Sequence, residues 1–330
     1  MANLWMPRRL PGSTSEPQVS ARHVRGRAKS MLWLPVVIAC LVSCSSADGA
    51  DQETYSAPVT AAPNPVTSDP APPPAREPAV DTPSDAPAEQ PASPLSDRPS
   101  REEIGLQFAG VEPAEWGEDL EGILTVLPTQ DKVVALTFDA CGGGASSAYD
   151  EELIEFLIQE QIPATLFISG MWIEDNLGKL DYLAAQQNFE IENHGFWHKP
   201  LSVNGREVYG VKGTASPEEV FDEIEENAQR IEQITGRRPE FFRAGTAFYD
   251  DVAVRIAGEL GVRIAGYTIA ADGGATFSKE QILAVGSNPP PGAIFLFHMN
   301  HPESNTYQGL QSLYSALVEK GYSFAKMTDY

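Results

Sequence analysis

"KVVALTFDACGGG", residues 132–144, decides how the chain is read. Val133, Val134, Ala135 and Leu136 form an apolar run that continues through Thr137 and Phe138 to Asp139 and then a glycine run. A short continuous apolar stretch closed by turn residues reads as a strand buried on both faces, as in parallel sheets. Asp139 therefore stands at the C-terminal end of a buried strand, where α/β folds gather their polar chemistry.

The same pattern recurs downstream. Strand-like runs lie at 163–169, 189–194, 240–244, 263–269, 293–299 and 322–327, and helical patterns at 148–161, 172–186, 217–235, 250–260, 279–286 and 308–320. Ser216, Pro217 and Glu219 read as N-cap, first helical position and capping-box partner, and Ser278 with Gln281 repeats the device. Gly236 and Gly261 stand where helices should stop. Alternating strands and helices predict a parallel sheet covered by helices. Six or seven such units suit a closed or distorted (β/α) barrel better than an open sheet, which is the alternative; both put sites at the C-terminal strand ends. The long connection 195–215 is expected to be a binding element.

The N-terminal third reads differently. Arg22, Arg25, Arg27 and Lys29 precede the apolar run "MLWLPVVIACLV" at 31–42, which is too short to span a bilayer and has the length of a signal-peptide core. It ends at "LVSCSS", where small residues before Cys44 match the lipobox of bacterial lipoproteins. Cys40 is a second candidate, and an ordinary secretory signal the plainer reading. Residues 51–100 hold 13 of the 27 prolines with almost no apolar bulk, the composition of a semi-extended tether. The expected organisation is a targeting region at 1–44, a Pro/Ala-rich tether at 45–104 and one folded domain at 105–330. The expected location is the cell envelope, anchored at Cys44, or the exterior after cleavage.

Of the net charge of −23, residues 1–50 carry +4 and 51–100 carry −6, which leaves −21 on 101–330. A nucleic-acid partner is disfavoured, because phosphate binding needs a basic surface. Membrane contact is expected only through the lipid anchor, and the domain is expected to act as a monomer. Of three cysteines only Cys141 lies in the folded domain, so no internal disulfide forms there.

Histidine is the sharpest clue. Of five, His194, His198, His298 and His301 fall at or just beyond the ends of two predicted strands. The spacing of "HGFWH" lets His194 and His198 face one cation, although such a pair alone is more often bonded to backbone. Asp139 could merely cap its turn, Arg243 in "EFFRAG" needs a carboxylate if buried, Asp272 in "AADGGA" could be a turn residue, and His298 leaves a strongly apolar strand. Five strands each delivering an ionisable group to one end is the convergence that a hydrolytic site requires.

In that order the motifs resemble those of the polysaccharide deacetylases, the NodB-homology domain of carbohydrate esterase family 4. "TFDAC" stands for T-F-D-D-G, "HGFWH" for H-[ST]-x-x-H, "RAGTAFY" for R-x-P, "AADGGA" for the aspartate motif and "LFH" for L-x-H. The resemblance covers about residues 130–330. It implies a distorted (β/α)7 barrel and metal-assisted hydrolysis of N-acetyl groups on a glycan, with zinc as the expected cation. It further implies Asp139 as general base, Arg243 as its tether, His194 and His198 as metal ligands, Asp272 as the supporting carboxylate and His298 as general acid. The chain departs from the pattern at Ala140, where the family has its third ligand, and at Cys141, where it has glycine. Three readings follow: a cation held by His194, His198 and water with Asp139 drawn in, a thiolate ligand from Cys141, or a metal-free glycan-binding protein. Hydrolysis of a small non-glycan amide is a further alternative.

Overall fold

The structure is a computed structural model that describes residues 98–330. The targeting region expected over 1–44 and nearly all of the tether expected over 45–104 lie outside the described residues. The folded part starts before the expected 105, with α1 (Arg101–Gln107). Ser100 caps it in a capping box with Glu103, Ile104 and Phe108 are buried, and Arg101 holds Asp222 through two bonds of 2.7 and 2.8 Å. The helix is shorter than two turns of apolar period, and the preceding Pro and Ser residues conceal it in the sequence.

The chain then runs through β1 (Trp116–Gly117), β2 (Ile123–Leu124), β3 (Val133–Ala140), α2 (Glu151–Gln159), β4 (Ala164–Ile168), α3 (Gly170–Asp175), α4 (Lys179–Ala184) and β5 (Phe189–Asn193). A small hairpin, β6 (Glu207–Val208) and β7 (Val211–Lys212), precedes α5 (Pro217–Thr235), β8 (Phe241–Phe242), β9 (Tyr249–Asp250), α6 (Asp251–Glu259), β10 (Arg263–Ala265) and β11 (Ile269–Ala270). The chain ends with α7 (Lys279–Gly286), β12 (Ile294–His298), α8 (Thr306–Glu319) and β13 (Ser323–Ala325). The single helix expected at 172–186 is two helices, because Gly178 adopts a left-handed conformation between them. The strand expected at 263–269 likewise divides into β10 and β11. The capping box expected at Ser278 with Gln281 is present, and Ser216 caps α5 by accepting from Glu219 N, but Glu219 Oε2 accepts from Ala215 N at 3.1 Å and so does not complete the expected box.

Nine strands form one sheet in the order β11-β12-β3-β4-β5-β8-β10-β2, with β13 also on β3. Every pairing within it is parallel. The sheet curls into an incomplete (β/α) barrel of the expected kind. Its opening falls between the edge strands β2 and β11, where the Thr268 hydroxyl donates to Thr125 O at 2.6 Å and accepts from Ile294 N at 3.0 Å. Outward-facing Leu136, Phe138, Ile191, Phe295 and Phe297 pack under α2–α4, α7 and α8, while Phe242 and Ile264 pack under α1, α5 and α6. The inner apolar cluster is small, with Ala135, Phe167, Phe241, Ala265 and Ile294. Polar groups fill the rest of the interior. No helix of the described residues is long and apolar enough to cross a membrane.

Candidate active site

Strand period places the functional side chains. On β3, Val134, Leu136, Phe138 and Ala140 point into the outer core, so Ala135, Thr137 and Asp139 point into the barrel. Ala140 is fully buried on the wrong face for a ligand, and Cys141 resumes the inner face one residue later. On β12 the same alternation buries Phe295 and Phe297 outside and turns Leu296 and His298 inside, with His298 in register with Asp139.

Asp139 is held by Arg243. Nη1 donates to Asp139 Oδ1 at 2.6 Å and to Thr137 Oγ1 at 2.8 Å, while Nε and Nη2 donate to the carbonyls of Ala265 and Gly266 at 3.2 and 2.9 Å. The guanidinium lies 4.2 Å from the Phe167 ring centroid and is wholly buried. Burial alone raises the Asp139 carboxyl, but Arg243, then His194 and His298, outweigh it and hold the group below its ordinary value.

His194 follows β5. Its Nδ1 lies 2.9 Å from the Arg243 carbonyl, which can only accept, so Nδ1 carries the hydrogen and Nε2 keeps its lone pair for the cavity. Nε2 is 3.7 Å from Asp139 Oδ2 and 3.8 Å from Cys141 Sγ. His198 lies beside it, the ring centroids 4.7 Å apart. Its backbone is left-handed (φ 56°), an uncommon state for a non-glycine residue. The buried Glu223 of α5 clasps the loop on both sides of His198, accepting from Trp197 N at 3.1 Å and Lys199 N at 3.0 Å. A Cβ at Gly195 would collide with that carboxylate. One at Gly245 would collide with the His198 carbonyl, so these two glycines let the loops close on each other.

Among the described residues one group of three donors could hold a cation. Cys141, His194 and His198 offer ligand atoms all within 4.8 Å of one another. A thiolate and two imidazoles form a zinc-type set that leaves room for water or substrate. The charges fit as well. Burial pushes the Cys141 thiol up, yet His198, His194 and His298 pull it well below its ordinary value. Burial lowers His194, yet Asp139 and Cys141 raise it. The cluster thus favours positive charge, and a bound cation would take the place of protons there.

Opposite stands His298. Its Nδ1 is 3.0 Å from Asp272 Oδ1, and its backbone N donates to Asp272 Oδ2 at 2.7 Å. Thr306 Oγ1 and Gly274 N also donate to this buried carboxylate, each at 3.1 Å. Burial lowers His298, but Asp272 raises it well above its ordinary value. His301, expected at the same strand end, turns instead to Glu303, 2.9 Å away.

All six residues singled out in the sequence, Asp139, His194, His198, Arg243, Asp272 and His298, are brought together. A cavity of about 380 Å³ is lined by Asp139, Cys141, His194, His198 and His298, with Glu118, Tyr209, Thr246 and Tyr267 at its sides. Sequence reasoning weighed Cys141 but did not place it in the ligand set, although counting by twos along β3 points to it. It missed Glu223, which α5 carries on its buried face under the His198 loop, and Glu118 and Tyr209, which lie on loops with no periodic signal.

Comparison with known proteins agrees with this arrangement. Residues 127–265 match the family model described as polysaccharide deacetylase, a stretch that ends before Asp272 and His298. The uncharacterized protein YlxY of Bacillus subtilis (strain 168) is 24% identical over 231 residues, covering 69% of this chain and 66% of that protein, just under two thirds of its length. Among solved structures, wild-type BA3943, described as a CE4 family pseudoenzyme from Bacillus anthracis, superposes with a TM-score of 0.52 at 25% identity over 64% of this chain and 70% of that one. A BA3943 mutant described as having restored enzymatic activity superposes with a TM-score of 0.52 at 26% identity, over 64% and 72%. The fold is that of the CE4 carbohydrate esterases, and the resemblance of the motifs to the polysaccharide deacetylases holds.

Proposed function

We propose, from the premise of a CE4-type polysaccharide-deacetylase fold, that this protein is a metal-assisted hydrolase that removes N-acetyl groups from a polysaccharide. Cys141, His194 and His198 hold the divalent cation, and the donor set favours zinc. One observation carries the reading: an Arg-tethered carboxylate and an Asp-supported imidazole face one cavity beside that donor cluster. A binding protein has no need of this acid–base pair.

When bound, the cation supplies Lewis acidity toward the amide carbonyl and an acidified water. Arg243 fixes Asp139 ionised and oriented, leaving Oδ2 on the cavity side to take a proton from the attacking water. As the water oxygen joins the acetyl carbon, the C–N bond breaks. His298, whose Nδ1 hydrogen is committed to Asp272, gives the Nε2 proton to the departing amine. The Asp272 carboxylate, against the lowering effect of burial, raises the His298 value and so strengthens its hold on that proton. On the leader and proline-rich stretch alone, we place the protein in the cell envelope, tethered through Cys44, where a polymer is within reach.

The likeness to a CE4 pseudoenzyme, together with Ala140, favours a second reading, a glycan-binding protein that releases no acetate. Acetate release by the full chain from chitin-type and peptidoglycan-type oligosaccharides, with metal content measured on the same sample, separates the two. The hydrolase releases acetate and carries about one metal per chain, and His194→Ala removes both. Glycan binding without acetate, on a metal-free protein, overturns the hydrolase reading.

A further inference from the structure

The connection 195–215 carries an exposed aromatic side chain where local rules oppose one. Val208 pairs with Val211, so Tyr209 and Gly210 form a two-residue turn, both with positive φ (53° and 79°). Such turns call for Asn, Asp or Gly first, because a side chain in the left-handed region is strained. Tyr209 is also 76% exposed, which a large aromatic on a turn has no folding reason to be. A residue that breaks two local rules at once marks a functional position when it borders a site. Tyr209 lines the same cavity as Asp139 and His298.

The turn is well braced. The Tyr209 ring stands edge-on to Phe248 at 5.8 Å, and Phe248 leans on Trp116 at 5.6 Å. At the base of the hairpin Gly213 N donates to Arg206 O at 2.8 Å, and Val203 N to Asp250 Oδ2 at 2.7 Å. The ring is therefore presented on a rigid arm. Also lining the cavity, Tyr267 donates its hydroxyl to Glu118 Oε1 at 2.9 Å, which leaves a carboxylate oxygen for a further donor.

An aromatic face together with a carboxylate acceptor suits a pyranose ring. The ring C–H groups rest on the electron-rich aromatic face, and the hydroxyls donate to the carboxylate. We infer that Tyr209, with Glu118 and Tyr267, forms a subsite for the sugar next to the one whose acetamide reacts. The inference rests on the hydrolase reading and adds which side chains hold the neighbouring sugar.

The test measures both KM for acetate release and equilibrium binding by calorimetry. It uses the full chain and N-acetylglucosamine monomer, dimer and longer β-linked oligomers. In the unaltered protein KM and Kd fall from monomer to oligomer. Tyr209→Ala lowers the oligomer advantage by about tenfold, and Tyr209→Trp restores it, on the scale of one aromatic stacking contact. Oligomer advantage equal in the unaltered protein and Tyr209→Ala overturns the subsite while acetate release upholds the hydrolase. Length-dependent binding lost in Tyr209→Ala without acetate release upholds the subsite and overturns the hydrolase. Neither binding nor release overturns both.

Discussion

Arg243→Met should cost the fold more than any single change in its core. The guanidinium is wholly buried and makes four hydrogen bonds, to Asp139, Thr137, Ala265 and Gly266. Removing one partner of a buried ion pair costs about 3–5 kcal/mol, because the other charge stays behind without solvent. Two buried carbonyls also lose their donor, so the upper end of that range applies. Asp139→Asn alone strands the guanidinium instead. The double variant removes both charges and should lose less than the sum of the singles by about 2–3 kcal/mol. Urea unfolding, followed by the fluorescence of the buried Trp172, reads all four proteins.

The pH dependence carries its own sign. In the unaltered protein the Asp139 value lies below that of the unfolded chain, so its stabilisation is present above the unfolded value and lost as pH falls through the folded one. Without Arg243 the burial penalty dominates and the folded value rises above the unfolded one. Stability is then lost as pH rises through the carboxylate range. The gap between Arg243→Met and the unaltered protein must therefore widen from about pH 4 to pH 7. A gap independent of pH, or a double-mutant cycle additive within about 0.5 kcal/mol, refutes the tether.

Cys141→Ala should lower zinc affinity by at least about tenfold, measured by chelator competition, and should abolish the thiolate-to-cobalt absorption of the cobalt-loaded protein. Unchanged cobalt spectra would remove Cys141 from the ligand set. Asp272→Asn withdraws the charge that raises His298, so the alkaline limb of kcat against pH should move to lower pH; an unmoved limb denies His298 the role of acid. Glu223→Ala leaves the half-buried amides of Trp197 and Lys199 without their acceptor, at about 1 kcal/mol each, and should weaken metal binding in step with the loss of stability. Intact metal affinity at reduced stability would show that the loop holds its shape unaided.

The sequence revealed the site wherever periodicity and chemistry coincide. Buried strands must be apolar, so Asp139, His194, Arg243 and His298 stand out at their ends, and each lies where a count along its strand puts it. Ala140 misled for the same reason. Read as a missing ligand it argued for a weakened metal site, but β3 remains a regular strand through position 140 and buries Ala140 in the outer core. An acidic side chain there would lie among Ile168, Trp172 and Phe138 unless the strand ended one residue earlier. The strand as built needs its third ligand at the next inward position, and that residue is Cys141. What stayed hidden depends on distant contacts. Glu223 on α5 looks like one more acid of an amphipathic helix until the fold sets it under the His198 loop. Tyr209 looks like a loop residue until its hairpin reaches the cavity. On the proposed reading, the departure at "DAC" is a change of ligand type that keeps the acid–base geometry. Restoring the family's pattern with Ala140→Asp should therefore destabilise the protein without strengthening metal binding, and a gain in affinity from that change would refute the register argument.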